Sequence, residues 1–259
     1  MIPQIEIRRF ARESGVPETT IERDYAQNWF LKCLASLDIV LKGGTAIRKV
    51  YIDGYRFSDD LDFTMSKDIP TEKLRYLISQ ATSAVKDESG IMFSNEIRFE
   101  ENINGYEARV QFNIFGTRTN PMNIKLDITK PDMEKIIITP EIKKVIHPYS
   151  DKLSCELRVY SFDELVAEKI RSLFQRTRPR DLYDVWFLQD KADISKILPL
   201  FLKKCQFIKL VPDIEKIESR KDDFLNAWNN SLRHQMKTLP NFNEVFLSVI
   251  SNLKQFIKP

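Results

Sequence analysis

The stretch Leu41-Lys42-Gly43-Gly44-Thr45, followed by Arg56-Phe57-Ser58-Asp59-Asp60-Leu61-Asp62-Phe63, decides how the chain is read. Ile39–Leu41 is a short apolar run that enters the glycine pair, and Thr45–Tyr51 reads as a short helix leaving it. Two glycines in succession remove two Cβ atoms, so backbone N–H groups can approach an anion, and a helix N-terminus adds positive dipole. Thr45 brings a hydroxyl that can be donated to a phosphate oxygen. Downstream, Leu61, Phe63 and Met65 alternate with Asp60, Asp62 and Thr64, the period of a half-buried strand. Asp60 and Asp62 therefore project to one face, where they repel each other unless a cation lies between them. Hard oxygen ligands of this kind suit Mg²⁺ bound jointly with substrate phosphates. A lone Asp-x-Asp is more often an acidic turn, and a lone Gly-Gly more often a plain turn. Together they describe one site, in which a triphosphate sits on the glycines and metal bridges it to the carboxylates.

Further strands follow from the same alternation. Tyr106–Ile114 places Glu107, Arg109, Gln111 and Asn113 opposite an apolar set, and Ile124–Thr129 places Lys125, Asp127 and Thr129 opposite Ile124, Leu126 and Ile128. This is a sheet with one face packed on helices and one polar face suited to a cleft. Asp127 is the only acid on its strand; it is either a solvated strand residue or a third carboxylate. If its strand neighbours Asp60–Met65, it completes a triad that can share a metal or orient an attacking hydroxyl. Helices are expected over 17–37 and 71–86.

After about residue 150 the pattern turns helical. Ser161 with Glu164 reads as an N-cap signal for a helix carrying Phe162, Leu165, Val166, Lys169, Ile170 and Leu173. Helices near 181–190, 192–205, 213–230 and 241–256 follow. Lys169 lies on an apolar stripe, so it either snorkels or is aimed at an anion. Five basic residues fall between 169 and 180. Arg178-Pro179-Arg180 breaks the helix and Asp181 is placed to cap the next one, with Asp184 on the same face. A structural ion-pair network joining two helices, Arg180 with Asp184 for example, is the other reading of this cluster, and the two roles can coexist. The chain thus divides into an α/β part, 1–155, and a helical part, 156–259. No Gly/Pro-rich linker separates them, so they are expected to pack closely and share a site, the helical part contributing Lys169 and Asp184.

Composition removes several function classes. The 259 residues are 42% hydrophobic and 30% charged, as in a folded globular protein. No apolar run approaches the roughly 18 residues of a membrane span, and the first fifteen residues hold no apolar core of a secretory signal. Cys33, Cys155 and Cys205 are scattered and odd in number, which fits a reducing cytoplasm. Two histidines, His147 and His234, are too few for a His-rich metal site. Catalysis must lean on carboxylates, lysines, arginines or hard cations. The net charge is +3, and residues 151–259 hold 19 basic against 15 acidic residues. The positive excess lies in the C-terminal part. Only seven glycines are present, none beyond Gly116.

Lys42-Gly43-Gly44-Thr45-Ala46 with Arg56–Phe63, then Ala167-Glu168-Lys169 and Arg180-Asp181-Leu182-Tyr183-Asp184, resembles the AbiEii/MenT nucleotidyltransferase toxins. These are the toxin halves of abortive-infection type toxin–antitoxin pairs. Ile21-Glu22-Arg23-Asp24-Tyr25 is similar to that family's early Glu-Lys-Asp-Tyr segment, with Arg23 where the family usually has Lys. The resemblance implies an α+β fold: a minimal DNA polymerase β-like nucleotidyltransferase domain, a mixed sheet with helices on one face, packed against a C-terminal helical bundle. It implies that Gly43, Gly44 and Thr45 hold nucleotide phosphates and that Asp60 and Asp62 bind Mg²⁺, with Asp127 as the third acid of the wider pattern. It also implies that Lys169 contacts the nucleotide, with Arg180 and Asp181 nearby, and that Asp184 is a further essential acid. The implied reaction moves a nucleotidyl group from a nucleoside triphosphate to an RNA hydroxyl, with a tRNA 3′ end as the candidate acceptor, and blocks translation. The implied partner is an antitoxin encoded alongside. Two alternatives remain open: transfer to a protein hydroxyl, and a catalytically silent nucleotide- or RNA-binding module.

Overall fold

Period-two alternation fixes the centre of the N-terminal unit. In β2 (Asp60–Met65), Leu61 and Phe63 pair with Leu126 and Ile128 of the parallel β5 (Met122–Thr129). Those residues in turn oppose Ala108 and Tyr106 of the antiparallel β4 (Gly105–Asn113). The register puts these apolar side chains on one face, where all are buried, and burial of each large one is worth about 1.5–3 kcal/mol. Helix α2 (Glu18–Leu34) meets β5, helix α4 (Thr71–Ser89) meets β3 (Met92–Asn102), and the two helices pack on each other. On the other face Glu107, Arg109, Lys125 and Asp127 remain at least partly exposed.

The structure is a computed structural model that describes residues 1–116 and 121–257. The mixed sheet runs β3-β4-β5-β2-β1-β7-β6, with β1 (Ile39–Lys42), β6 (Glu141–Lys144) and β7 (Glu156–Val159) completing it. Strand β1 is antiparallel to β2 and parallel to β7. The chain divides into two compact units, Met1–Tyr160 and Ser161–Pro259. The boundary falls after β7 because that strand pairs with β1 and β6 in the N-terminal sheet.

Three local expectations are corrected. The helix expected at Thr45 starts at the glycines: α3 (Gly43–Ala46) continues as a π-helical turn, Ile47–Tyr51. The single helix expected over 213–230 is two, α8 (Ile214–Glu218) and α9 (Lys221–Leu232). Asp181 does not cap its helix. Arg178 holds the N-cap position of α6 (Pro179–Leu188) and Pro179 the first helical position, where its missing N–H costs no hydrogen bond. Helix α1 (Gln4–Ser14), β3, β6 and β7 had no expected counterpart. Strand β3 is an edge strand, largely exposed, whose pairing register shifts between Phe93 and Ile97, so its alternation is broken.

In the C-terminal unit, α5 (Phe162–Gln175) begins at Ser161, whose side chain accepts the Glu164 N–H. It packs with α6 and with α7 (Ile194–Phe207), and α6 packs with α9 and α10 (Phe242–Phe256).

Candidate functional site

The first residue of β2 is anchored from two sides. Thr45 donates its hydroxyl to the Asp60 carbonyl. Gln27 of α2 donates its amide to the carbonyls of Ser58 and Asp59, each at 3.0 Å, and Arg23 pairs with the Asp59 carboxylate at 2.8 Å. Of the three acids in Ser58-Asp59-Asp60-Leu61-Asp62, Asp59 is therefore structural. Thr45 is fully buried with its hydroxyl committed, so the expected donation of that hydroxyl to a phosphate is replaced by one that positions Asp60.

The glycine pair also makes room for the protein's own side chains. Gly43 has φ +74°, and a Cβ there would stand 2.4 Å from Asp62 Oδ2. A Cβ on Gly44 would stand 2.9 Å from the Arg56 guanidinium and 3.3 Å from Ser58 Oγ. The missing side chains make room first for the protein's own carboxylate and guanidinium, which the chain carries within touching distance of the turn.

Across the open face the register builds two charged rows. One runs Asp62, Asp127, Glu107, Glu100 and the next Asp60, Lys125, Arg109, Arg98, over β2, β5, β4 and β3. On three of these strands the acid pairs with the base two residues away: Lys125 to Asp127 at 2.9 Å, Arg109 to Glu107 at 2.7 Å, and Arg98 to Glu100 at 2.6 Å. Lys125 also reaches Glu107 at 3.0 Å. Burial opposes the Lys125 charge, but the hydrogen bonds it donates to Asp127 and Glu107 outweigh it and hold the ammonium above the ordinary lysine value. Strand β2 departs from the pattern, with an acid in both rows. The Asp62 side chain makes no hydrogen bond or ion pair with another described residue. Lys42, its partner in register on β1, points its ammonium to Thr129 Oγ1 at 3.1 Å. Asp127 is beside Asp62 as expected, yet its carboxylate is held by Lys125. Among the described residues no three Asp, Glu, His or Cys side chains converge as a metal-ligand group.

The segment 21–25 is a brace. Asp24 is buried and accepts Arg48 at 2.7 Å, Lys49 at 2.8 Å and the Tyr149 hydroxyl at 2.7 Å. Burial works against its charge, but the two cations prevail and hold the carboxyl well below the usual range. Desolvation in turn pushes Lys49 down to about 8, against the pull of Asp24. Tyr25 donates to Asp151 at 2.6 Å.

Within the helical unit, Lys169 lies between Asp181 Oδ1 at 3.2 Å and Asp184 Oδ2 at 2.8 Å. Arg176 pairs with Asp181 at 2.8 Å. The side chains of Asp181 and Asp184 are 2% and 0% exposed. Burial would raise Asp181, but Lys169 and Arg176 outweigh it and hold it below the ordinary aspartate value. Arg180 sits half-buried in the first turn of α6. A second buried cluster, Lys204 with Glu164 at 2.7 Å and Glu168 at 3.0 Å, ties α5 to α7.

The sequence matches the family described as nucleotidyl transferase AbiEii toxin, type IV toxin–antitoxin system, over residues 29–249. The chain belongs to the AbiEii nucleotidyltransferase toxin family. It is a nucleotidyltransferase, and the toxin half of a toxin–antitoxin pair. The fold is similar to JHP933 from Helicobacter pylori, with a TM-score of 0.62 at 20% identity over 93% of each chain. It is also similar to MenT4, a nucleotidyltransferase toxin from Mycobacterium tuberculosis, with a TM-score of 0.63 at 17% identity over 97% of this chain and 88% of that one. No curated protein matches the sequence. In this AbiEii protein, no helix among the described residues is long and apolar enough to cross a membrane. Lys42, Lys125, Glu107 and Arg56 lie near the acids, and motif reading gave none of them a role. The signal was present in the opposite charges two apart in Glu107-Ala108-Arg109 and Lys125-Leu126-Asp127.

Proposed function

We propose that the open face of the sheet at Asp60 and Asp62 binds a nucleoside triphosphate with a divalent ion, and that the chain transfers the nucleotidyl group to an RNA acceptor, a tRNA 3′ end being the candidate. The single observation behind this reading is the departure at β2. Acids stand in both rows on that strand, and the Asp62 carboxylate has no partner among the described residues although its neighbours in register are paired. Two same-face carboxylates fit a hard ion that keeps its other positions for water and substrate oxygens. Asp60 and Asp62 would hold Mg²⁺, which when bound neutralises charge on the phosphates and polarises their oxygens. The first N–H groups of the helical turn at Gly43–Gly44 lack intrahelical acceptors and suit phosphate oxygens. Lys42 supplies a further cation beside Asp62. The acceptor hydroxyl forms a bond to the α-phosphorus, the bond to the β-phosphate oxygen breaks, pyrophosphate leaves, and the hydroxyl proton passes to water or a carboxylate. The basic excess of residues 151–259 supports a polyanionic acceptor. An antitoxin encoded nearby would be the partner that restrains it.

The test is incubation of the purified protein with Mg²⁺, total RNA and each α-labelled NTP, followed by ribonuclease or protease digestion. Label that ribonuclease releases supports the RNA acceptor. Label that only protease releases assigns a protein hydroxyl instead, and binding without turnover of any NTP contradicts the catalytic reading.

A further inference from the structure

Asp127 stands where a second metal ion would need a ligand, and a lysine already holds it. In two-metal sites the ions lie about 3.5–4 Å apart and share carboxylates. On this face the carboxylate beside Asp62 in register is Asp127. Its Oδ2 accepts Lys125 at 2.9 Å, and the same ammonium reaches Glu107 at 3.0 Å from the next strand. Lys125 is itself the register partner of Asp60. The ammonium therefore lies among the very acids that a second ion would use.

Charge counting points the same way. At this level of the sheet β5, β4 and β3 are each neutral, with one acid and one base. Only β2 carries two acids and no base at this level. Lys42 already adds a positive charge from β1. A second divalent ion would have to displace Lys125 from both Asp127 and Glu107 and then sit beside the displaced ammonium. Arg109, one strand further on, also feels the charges of Asp60 and Asp127 after that of Glu107, so the base row lies within electrostatic reach of the acids.

We propose that Lys125 takes the place of the second metal ion: the site binds one divalent ion, on Asp60 and Asp62, and Lys125 keeps Asp127 out of its coordination. This rests on the reading of Asp60 and Asp62 as metal ligands given above. Lys125 is a positioning residue in this scheme. It fixes the Asp127 carboxylate and supplies a permanent positive charge next to the ion.

The experiment counts ions. The full-length protein is titrated with Mn²⁺, with and without a saturating non-hydrolysable NTP analogue, and free Mn²⁺ is read by electron paramagnetic resonance after subtraction of the analogue's own binding. Anomalous diffraction from the same complex locates each ion. One ion per chain is expected in the unaltered protein and two in Lys125→Met, whose unbranched side chain is one atom shorter than lysine and carries no charge. Two ions in the unaltered protein would overturn the inference while leaving Asp60 and Asp62 as ligands. A single ion in a folded Lys125→Met protein would also overturn it. No bound ion in either protein would overturn the metal reading of Asp60 and Asp62, and this inference with it. The count in the unaltered protein decides the matter even if the variant does not fold.

Discussion

Two groups of carboxylates, one on the open face of the sheet and one inside the helical unit, use the same chemistry in opposite ways. Asp181 and Asp184 are buried and face Lys169 and Arg176 at hydrogen-bonding distance. Asp62 is half-buried, borders a glycine, and has no partner among the described residues. Breaking a buried carboxylate's ion pairs is destabilising, because removing either partner strands a charge in low dielectric. A carboxylate left without a cation on an otherwise paired surface waits for one from solution. Family resemblance alone assigns both groups to the reaction. The geometry separates them: Asp60 and Asp62 stand on the open face of the sheet, where the proposed ligand would bind, whereas Asp181 and Asp184 hold Lys169 in place.

The largest effects should break the two groups apart. Asp62→Asn should lower nucleotidyl transfer by about 10³-fold or more, since loss of metal-borne charge stabilisation is worth several kcal/mol. Its unfolding free energy should stay within about 0.5 kcal/mol of the parent, as for a partly exposed side chain without partners. Asp184→Ala should do the reverse in a urea titration, losing about 1.5–3 kcal/mol of stability as Lys169 gives up one of its two buried carboxylate partners. Equal stability losses in the two variants would remove the distinction.

An intermediate effect is expected at the turn. Gly43→Ala places a methyl group against Asp62 Oδ2 at a backbone angle that disfavours it. The cost in stability should be about 1–2 kcal/mol, and activity should fall with it because the carboxylate must move. Gly54→Ala is the control: it has φ +74° as well, but nothing lies within 4 Å of its Cβ. A Gly43→Ala protein with full activity would show that Asp62 need not sit where it does.

The smallest effect is a slope. The carboxyl of Asp181 is lower in the folded state than its unfolded value of 3.8, so its contribution is fully present above pH 3.8 and is lost as pH falls below that towards the folded value. In Asp181→Asn the dependence of unfolding free energy on pH below about 4 should be shallower by up to about 1.4 kcal/mol per pH unit, one proton's worth. Urea midpoints at pH 7, 4 and 3 measure it, and identical slopes in the two proteins would contradict the assigned charge state.

Much of the sheet was legible in the sequence because its central strands alternate cleanly. The alternation of Asp60–Met65, Tyr106–Ile114 and Ile124–Thr129 fixed which residues share a face, and with it the adjacency of Asp62 and Asp127 once the strands paired. Strand β3 escaped because its pairing register shifts midway and most of its length faces water. In α2, polar residues such as Asp24, Gln27 and Asn28 are buried alongside the apolar stripe. Their partners lie far away in sequence, at Lys49, Ser58 and Ile146, so no local pattern announces them. The acids of the site could be read from spacing, but what each acid touches could not. Lys125 captures Asp127, Arg23 captures Asp59, and Thr45 turns inward to Asp60, all through contacts that only the folded register brings about.

The most direct test of the central claim is pyrophosphate release by purified Asp62→Asn protein and its parent, with Mg²⁺, the four NTPs and total RNA, under conditions where both have the same melting temperature. The parent should release pyrophosphate and label acceptor, and the variant should do neither above background. Release by the folded variant at the parental rate would contradict the placement of the reaction at Asp60 and Asp62.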